Sequence, residues 1–152
     1  MPDSPRIVFE RWMDAFGRQD VNALRSMLHP DYIDEMPQTG ELTRGPENAL
    51  AIMANYPGAS GTPIPLVDAE VHGAEDQWVV APNFTVIQVV GAAEVYTVNA
   101  RVRYPDGSSW FVIVLAGLKD GLIHRTTTFY APELPAPEWR ARWVEQMGRP
   151  PA

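Results

Sequence analysis

Apolar residues in the first third of the chain recur at a spacing typical of helices. From about Pro5 to Phe16 they fall on one stripe with a period near 3.6 residues, which predicts a first helix that ends at Gly17. Asp20 is a suitable N-cap for a second, short helix. A third helix is predicted to open at Gly45-Pro46-Glu47, since proline is favoured at the first helical position.

Most of the remaining chain has the pattern of β-strands separated by turns. Two of the turns, Pro105-Asp106-Gly107 and Lys119-Asp120-Gly121, are typical of hairpins that join antiparallel neighbours. The predicted strands span residues 32–36, 66–72, 77–81, 84–90, 94–104, 109–118 and 122–130. Helices followed by an antiparallel meander favour an α+β fold in which the helices cover one face of the sheet.

Alternation along two strands assigns their side chains to faces of the sheet. Between residues 96 and 104 the apolar positions are predicted to face the helices, whereas Arg101 and Arg103 point to solvent or to a partner subunit. The strand from Ser109 is apolar on both faces, so its outer face needs a cover. A second subunit packed sheet against sheet is the simplest cover, which predicts a homodimer through the outer sheet face.

Length and composition narrow the class of protein further. At 152 residues the chain suits one domain, in which residues 132–152 form a proline-rich extension with a short helix. The absence of cysteine excludes thiol catalysis and disulfides, and the net charge of −7 argues against nucleic acid as a partner. The first residues lack a signal-peptide pattern and no stretch is apolar for long enough to cross a membrane, so a cytoplasmic protein is expected.

Several motifs in a fixed order resemble a known superfamily. The chain resembles the SnoaL-like (polyketide cyclase-type) domains of the nuclear transport factor 2-like superfamily in the stretches F-E-R-W-M-D-A-F-G-R-Q-D-V-N-A-L-R-S-M-L-H-P-D-Y, T-R-G-P-E-N, K-D-G-L-I-H-R and A-P-E-L-P-A-P-E-W-R-A-R-W-V-E. The resemblance implies a cone-shaped, curved antiparallel sheet wrapped around a long helix, with a pocket inside. Because this superfamily hosts isomerases, cyclases, dehydratases, epoxide hydrolases and non-catalytic binding proteins, the resemblance implies a fold without fixing a reaction.

The catalytic residues of two enzyme groups in this superfamily do not carry over to this chain. The places of the ketosteroid isomerase residues correspond to Trp12, Met36 and Val114. The places of the Asp–Arg–Asp set of the limonene epoxide hydrolases correspond to about Thr97, Asn99 and Thr128. These side chains lack the groups that either chemistry needs, so neither activity is expected.

The polar stretch D-E-M-P-Q-T-G-E at residues 34–41 supplies candidate acid–base groups. Asp34 and Glu35 point to opposite faces of a regular strand, so only one can face the pocket; the isomerases favour Asp34 and the epoxide hydrolases Glu35. We interpret Glu35 as a general base, because burial would raise its pKa above the reference of ~4.3. Gln38 is interpreted as an amide that folds over the pocket mouth and contacts the ligand. The alternative for Glu35 and for Gln38 is an exposed surface position.

The later strands supply candidate partners for that base. The resemblance places a stripe inside the cone that consists of His124, Thr126, Thr128 and Tyr130. His124 is the candidate acid, since its reference pKa of about 6.5 suits that role, and Tyr130 is the other candidate donor. Thr126, Thr128 and Tyr130 are also candidate ligand-binding residues, together with Trp12, Tyr96 and Trp110. These three residues, Tyr104 and Tyr130 are the candidate aromatic walls of the pocket. An aromatic lining with few polar groups suits a small, largely apolar ligand.

Two classes of function remain open from the sequence. One is a cofactor-independent acid–base enzyme of isomerase, cyclase, dehydratase or hydrolase type. The other is a non-catalytic ligand-binding or protein-interaction module of the same fold. No histidines or carboxylates show helical metal-binding spacing, so no metal is predicted.

Overall fold

The described part of the chain forms three α-helices and a six-stranded sheet. The structure, a computed structural model, describes residues 4–58, 63–64, 66–73 and 95–145. The helices are α1 (Pro5–Arg18), α2 (Val21–Met27) and α3 (Gly45–Ala54), and a 3-10 helix spans Glu138–Trp143. The strands are β1 (Leu28–Met36), β2 (Glu41–Arg44), β3 (Leu66–His72), β4 (Val95–Arg103), β5 (Ser109–Lys119) and β6 (Leu122–Pro132). The predicted strands 77–81 and 84–90 lie outside the described residues.

The helix boundaries follow from capping groups in the sequence. Asp20 caps α2 as predicted, because its Oδ1 accepts a hydrogen bond of 3.0 Å from the Ala23 N–H. Helix α1 continues past the predicted end at Gly17 and is capped by Gln19, whose φ of 58° is left-handed. Gly17 stays helical and packs closely, since a Cβ there would lie 3.4 Å from the carbonyl oxygen of Ile64.

The sheet has the order β2-β1-β6-β5-β4-β3. The α+β class with N-terminal helices and a curved sheet is therefore confirmed. Within this fold β1 and β6 run parallel, whereas the other neighbours run antiparallel. The parallel pair is joined through the long intervening chain rather than by a hairpin, as parallel neighbours require.

Strand β1 begins earlier than the pattern of apolar residues predicts. Leu28 already pairs with Ile123, four residues before the predicted start at Tyr32. The register then shifts before pairing resumes at Ile33. Pro30 lies within this interruption and has no N–H to donate, so it fits a place where the ladder is broken.

Strand β2 was not predicted, because its four residues Glu41–Arg44 show no run of strand-forming side chains. It forms because residues 37–40 reverse the chain and lay it beside β1. Gly40 has a φ of 74°, which a residue with a side chain rarely adopts. The polar stretch at residues 34–41 is therefore the tip of a β1–β2 hairpin.

The core lies between α1 and the inner face of the sheet. Phe9 and Ile123 are fully enclosed, and the ring of Phe9 packs on Tyr96 with the centroids 5.1 Å apart. The predicted inner face of β4 is confirmed by the burial of Tyr96, Val98, Ala100 and Val102.

The outer face of the sheet differs from expectation at one arginine. Arg103 is exposed as predicted, but the side chain of Arg101 is only 4% exposed, with its Nε 3.5 Å from Oε1 of Glu133. Glu133 is held there by a hydrogen bond from its N–H to the Ser109 carbonyl. None of the described helices combines the length and the apolar character needed to cross a membrane.

Replacing the fully enclosed ring of α1 tests this core. We expect Phe9→Ala to lower the free energy of unfolding by about 3–5 kcal/mol, because it removes apolar contacts and leaves a cavity. Ile7→Ala, on the same helix but 38% exposed, is the matched control and should cost clearly less. Urea unfolding followed by circular dichroism measures both. Equal losses for the two variants would contradict the assignment of the core.

Candidate functional site

A cavity of about 470 Å³ lies between the helices and the inner face of the sheet. Its volume falls in the range of roughly 300–1,000 Å³ that is typical of small-molecule sites. Apolar and aromatic side chains from α1, α3 and the strands form most of its wall, among them Trp12, Phe16, Leu50, Met53, Val98, Trp110 and Val112. Polar groups enter this apolar space at only a few points, and one of them is charged.

Among the described side chains that line the cavity, Asp34 is the charged one. It lies on β1 directly beside Thr126 of the parallel strand β6. Tyr32 and Met36, two positions away on either side, line the same cavity, as the alternation of a strand requires. The face of β1 that looks inward is therefore the one that carries Asp34.

Hydrogen bonds orient the carboxylate of Asp34. The hydroxyls of Thr126 and Thr128 both donate to Oδ1, at 2.7 and 2.8 Å. Since the Thr126 proton is used in this way, the Tyr32 hydroxyl donates to Thr126 Oγ1, at 2.7 Å. Both threonines are buried, so these contacts do not compete with bulk water. The other oxygen, Oδ2, has no hydrogen-bond partner among the described residues and remains available to a ligand.

The surroundings also make Asp34 a stronger base than an ordinary aspartate. Burial raises the pKa of its carboxyl above the usual 3.8, and the hydrogen bonds from Thr126 and Thr128 offset part of that rise. A carboxylate that gains a proton more readily, and that is held in one orientation, suits proton abstraction from a bound molecule.

A tyrosine cluster supplies hydrogen-bond donors to the same cavity. Burial raises the pKa of Tyr130 to about 12, and the charge of Asp34 adds to the effect, so the phenol stays protonated. The Tyr104 and Tyr130 hydroxyls are hydrogen-bonded to each other, and either can donate, so one proton of the pair is available to a ligand. Tyr56 stacks on Tyr104 with the ring centroids 5.0 Å apart.

Glu35 does not lie where the sequence interpretation placed it. It is on the opposite face of β1 from the cavity, and its Oε1 accepts a hydrogen bond from Nη2 of Arg125 on β6. In the parallel register Asp34 pairs with Thr126, and Glu35 pairs with Thr127. Because neighbours in register share a face, the inward position of Thr126 fixes Asp34 inward and Glu35 outward.

His124 also lies away from the cavity, because β6 contains a bulge. Gly117 pairs with Arg125 and Leu118 pairs with Ile123, so His124 is the extra residue without a partner on β5. The bulge resets the alternation, and the stripe expected from His124 to Tyr130 begins instead at Thr126. The ring of His124 meets His29 edge-on at 5.0 Å, and partial burial with the nearby Lys119 charge lowers its pKa.

The remaining predicted residues divide into two groups. Trp12, Trp110, Thr126, Thr128 and Tyr130 line the cavity. Tyr96 is instead part of the core against Phe9, and Gln38 is exposed on the hairpin tip, where its amide bonds the backbone of Tyr130. No group of three or more histidine or acidic residues within the described ranges is arranged to hold a metal ion.

The sequence offers both Asp34 and Glu35 as candidate bases, and a local pattern of side chains distinguishes them. Tyr32, Asp34 and Met36 alternate, and the outer two are large and mostly apolar, as expected of an inward face. Tyr104, an expected pocket wall, lines the cavity, and Tyr56 is a further cavity residue that the sequence did not assign to the site. No sequence signal separates Tyr56 from an ordinary core tyrosine.

Comparison with known proteins identifies the relatives of this chain. A family described as "SnoaL-like domain" matches residues 9–126. No curated protein matches the sequence. The match covers α1 from Phe9 onward, the sheet strands up to the middle of β6, and Asp34.

Solved structures of similar fold come from several bacteria. An NTF-2 like protein of unknown function from Burkholderia xenovorans LB400 is 19% identical with a TM-score of 0.70, over 95% of this chain and 96% of that one. A candidate ketosteroid isomerase from Kribbella flavida DSM 17836 is 18% identical with a TM-score of 0.70, over 97% and 93%. A candidate polyketide cyclase from Sinorhizobium meliloti is 21% identical with a TM-score of 0.57, over 81% and 94%. At these identities the likeness shows the fold alone.

The raised pKa of Asp34 predicts how stability depends on pH. The Asp34 carboxyl stays protonated in the folded chain at pH values at which the unfolded chain, with its usual pKa of 3.8, has lost that proton. With respect to this group the free energy of unfolding is therefore highest below pH 3.8 and falls as the pH rises through the raised pKa. Asp34→Asn removes the charge and keeps an acceptor oxygen for both threonines, so we expect it to be more stable than the wild type at neutral pH.

Urea unfolding over a pH series measures this difference, which should vanish in acid. Glu35→Gln is the control. Glu35 lies outside the cavity, so this substitution removes only the exposed ion pair with Arg125, worth about 1 kcal/mol or less. A wild-type chain as stable as Asp34→Asn at neutral pH would show that Asp34 carries no burial penalty.

Proposed function

The chain belongs to the SnoaL-like domain family, and we propose that it is a cofactor-independent enzyme that moves a proton on a small, largely apolar substrate. Asp34 is the base, through its free oxygen Oδ2. Tyr130 is the donor that hydrogen-bonds an oxygen of the substrate. The observation that carries the proposal is Asp34 itself: one oriented carboxylate of raised pKa in an otherwise apolar cavity.

The substrate class follows from the two groups that face it. Oδ2 of Asp34 accepts a proton, and the neutral Tyr130 phenol donates a hydrogen bond to an oxygen. A carbonyl compound with a proton on the neighbouring carbon fits both. Asp34 would take that proton as the C–H electron pair moves into the enolate, and Tyr130 would stabilise the enolate oxygen. Return of the proton from Asp34 to carbon restores the enzyme.

The relatives support this class in a limited way. Two solved structures of the same fold are described as candidate ketosteroid isomerase and candidate polyketide cyclase, and both names imply carbonyl substrates. The base proposed for this chain lies two residues before Met36, the place that the resemblance assigned to the isomerase base. The proposal therefore rests on the residues of this cavity and not on a transferred catalytic set.

A second candidate function is binding without catalysis. It is favoured by the apolar residues Trp12, Met36 and Val114 at the places where the resemblance expects isomerase residues. In that case the cavity would hold the same kind of ligand, and Asp34 would only accept a hydrogen bond from it.

Hydrogen exchange separates the two candidates. We expect the wild type to exchange the protons beside the carbonyl of a compact cyclic ketone such as 1-tetralone in D₂O, followed by ¹H NMR. Asp34→Asn should lower this rate by roughly 10²–10⁴-fold, the usual contribution of a general base. Glu35→Gln, the neighbouring carboxylate on the outer face, is the matched control and should exchange like the wild type.

Two results would count against an enzyme. If Asp34→Asn exchanges 1-tetralone and related cyclic ketones as fast as the wild type, Asp34 is not the base. If the wild type binds such ketones but exchanges them no faster than buffer, the binding function is supported instead.

We also propose that the protein self-associates through the outer sheet face. Ile113 in the middle of β5 is 40% exposed on that face, and the extension beyond β6 carries Trp139 and Trp143, which are 75% and 64% exposed. We take these side chains as parts of one apolar surface, the kind of surface that another protein usually covers. A second copy of the chain is the partner that we propose.

Mass in solution tests this proposal. Light scattering at micromolar concentration should give twice the mass of one chain, and Ile113→Glu should give the mass of a single chain, because a buried charge is costly at an interface. Ile7→Glu is the control, since Ile7 is 38% exposed on α1, the helix that packs against the inner face of the sheet. A wild type with the mass of one chain would contradict self-association.

A further inference from the structure

The tip of the β1–β2 hairpin is tied to the candidate site by a single side chain. The Nε2 of Gln38 donates to the carbonyl oxygen of Tyr130, and the Tyr130 N–H donates to Oε1 of Gln38, both at 2.5 Å. One exposed amide thus bonds both backbone groups of a residue 92 positions away. We infer that Gln38 is a positioning residue that fixes the backbone of Tyr130 and thereby the place of its phenol in the cavity.

Gln38 replaces a missing strand neighbour. A carboxamide presents one donor and one acceptor side by side, as a backbone does along a β-ladder. Strand β1 pairs with β6 only as far as Glu35 and Thr127 and ends at Met36, whereas β6 continues to Pro132. Beyond Thr127, β6 therefore has no β1 backbone beside it, and the Gln38 side chain supplies the hydrogen bonds there.

The sequence of the turn explains why Gln38 reaches Tyr130. Pro37 has no N–H to continue the ladder, so the chain leaves β1 at that point. The N–H groups of Thr39 and Gly40 both donate to the Met36 carbonyl, at 3.2 and 2.9 Å, which closes a tight turn. This turn holds Gln38 above the end of β6, next to the cavity-lining residue Met36.

The consequence concerns the donor side of the site. Tyr104 bonds the Tyr130 hydroxyl at one end of the residue, and Gln38 bonds its backbone at the other. The pairing of Tyr130 with Val112 holds the strand on the β5 side. Without Gln38 no described residue would bond the Tyr130 backbone on the β1 side, so the phenol would lose one of its restraints. The inference rests on the proposed function only where it takes Tyr130 as the donor to a ligand oxygen.

A double-mutant cycle with two matched probes tests the role of Gln38. The probes are 1-tetralone and tetralin, which share the ring system and differ by the carbonyl oxygen. We expect Gln38→Ala to weaken the binding of 1-tetralone by roughly 2- to 10-fold, the range for one neutral hydrogen bond, and to leave tetralin unchanged. In a Tyr130→Phe background Gln38→Ala should have no further effect, because the oriented group is already absent.

Two further variants make the test specific. Thr39→Ala changes the adjacent exposed residue of the same turn and should bind both probes like the wild type. Gln38→Glu should resemble Gln38→Ala when ionised, because it then has no proton for the Tyr130 carbonyl, and should match the wild type at a pH low enough to protonate it. Equal losses for both probes, or a full Gln38→Ala effect in the Tyr130→Phe background, would overturn the inference.

A measurement without any ligand separates this inference from the proposed function. The chain has five tyrosines, so labelling with 3-fluorotyrosine gives five ¹⁹F resonances, and Tyr130→Phe identifies one of them. Gln38→Ala should shift the Tyr130 resonance and Thr39→Ala should not. An unmoved resonance would refute the positioning role, even if Asp34 proves to be a base. A shifted resonance in a protein that binds 1-tetralone no better than tetralin would leave the positioning role standing while the proposed donor role fails.

Discussion

The parallel pairing of β1 with β6 decides which carboxylate enters the candidate site. The register that sets Asp34 beside Thr126 gives the carboxylate two hydroxyl donors from one strand and sends Glu35 to the opposite face. A shift of one residue would exchange the two carboxylates, because side chains alternate along a strand. The same strand β6 carries Tyr130, so the proposed donor lies on the strand that orients the base.

The burial that makes Asp34 a stronger base also lowers the stability of the folded chain. A carboxylate in an apolar cavity loses hydration, and this loss is the cause of the raised pKa of Asp34. The hydroxyls of Thr126 and Thr128 replace part of the lost hydration, but both of them bond only Oδ1. A third donor at Oδ2 would make the fold more stable and would also occupy the oxygen that a ligand has to reach. The incomplete solvation of one oxygen is therefore the property that makes the site able to react.

The sequence predicts the fold well because the fold depends on local patterns. Helical spacing located α1, the turn Lys119-Asp120-Gly121 located the β5–β6 hairpin, and alternation assigned the inner face of β4. The site was harder, because it depends on register between distant strands. Alternation excludes one of Asp34 and Glu35, and the neighbours Tyr32 and Met36 favour Asp34, but the pairing of Asp34 with Thr126 is what fixes the inward face. The bulge that removes His124 from its expected stripe likewise depends on pairing with β5. The second role of Gln38, as a backbone partner rather than a ligand contact, likewise follows only from where β1 ends.

The two sides of the candidate site are held by different kinds of structure. Asp34 lies in the middle of the β1–β6 pairing, where backbone hydrogen bonds and buried threonines fix its position. Tyr130 lies near the end of β6, where the strand still pairs with β5 but no longer with β1. On the β1 side the Gln38 side chain bonds its backbone instead, and the Tyr104 side chain contacts its hydroxyl. Side chains can be exchanged without altering the strands that carry them. The base side is thus set by the register of two strands, whereas the donor side depends in part on side chains that can be replaced one at a time.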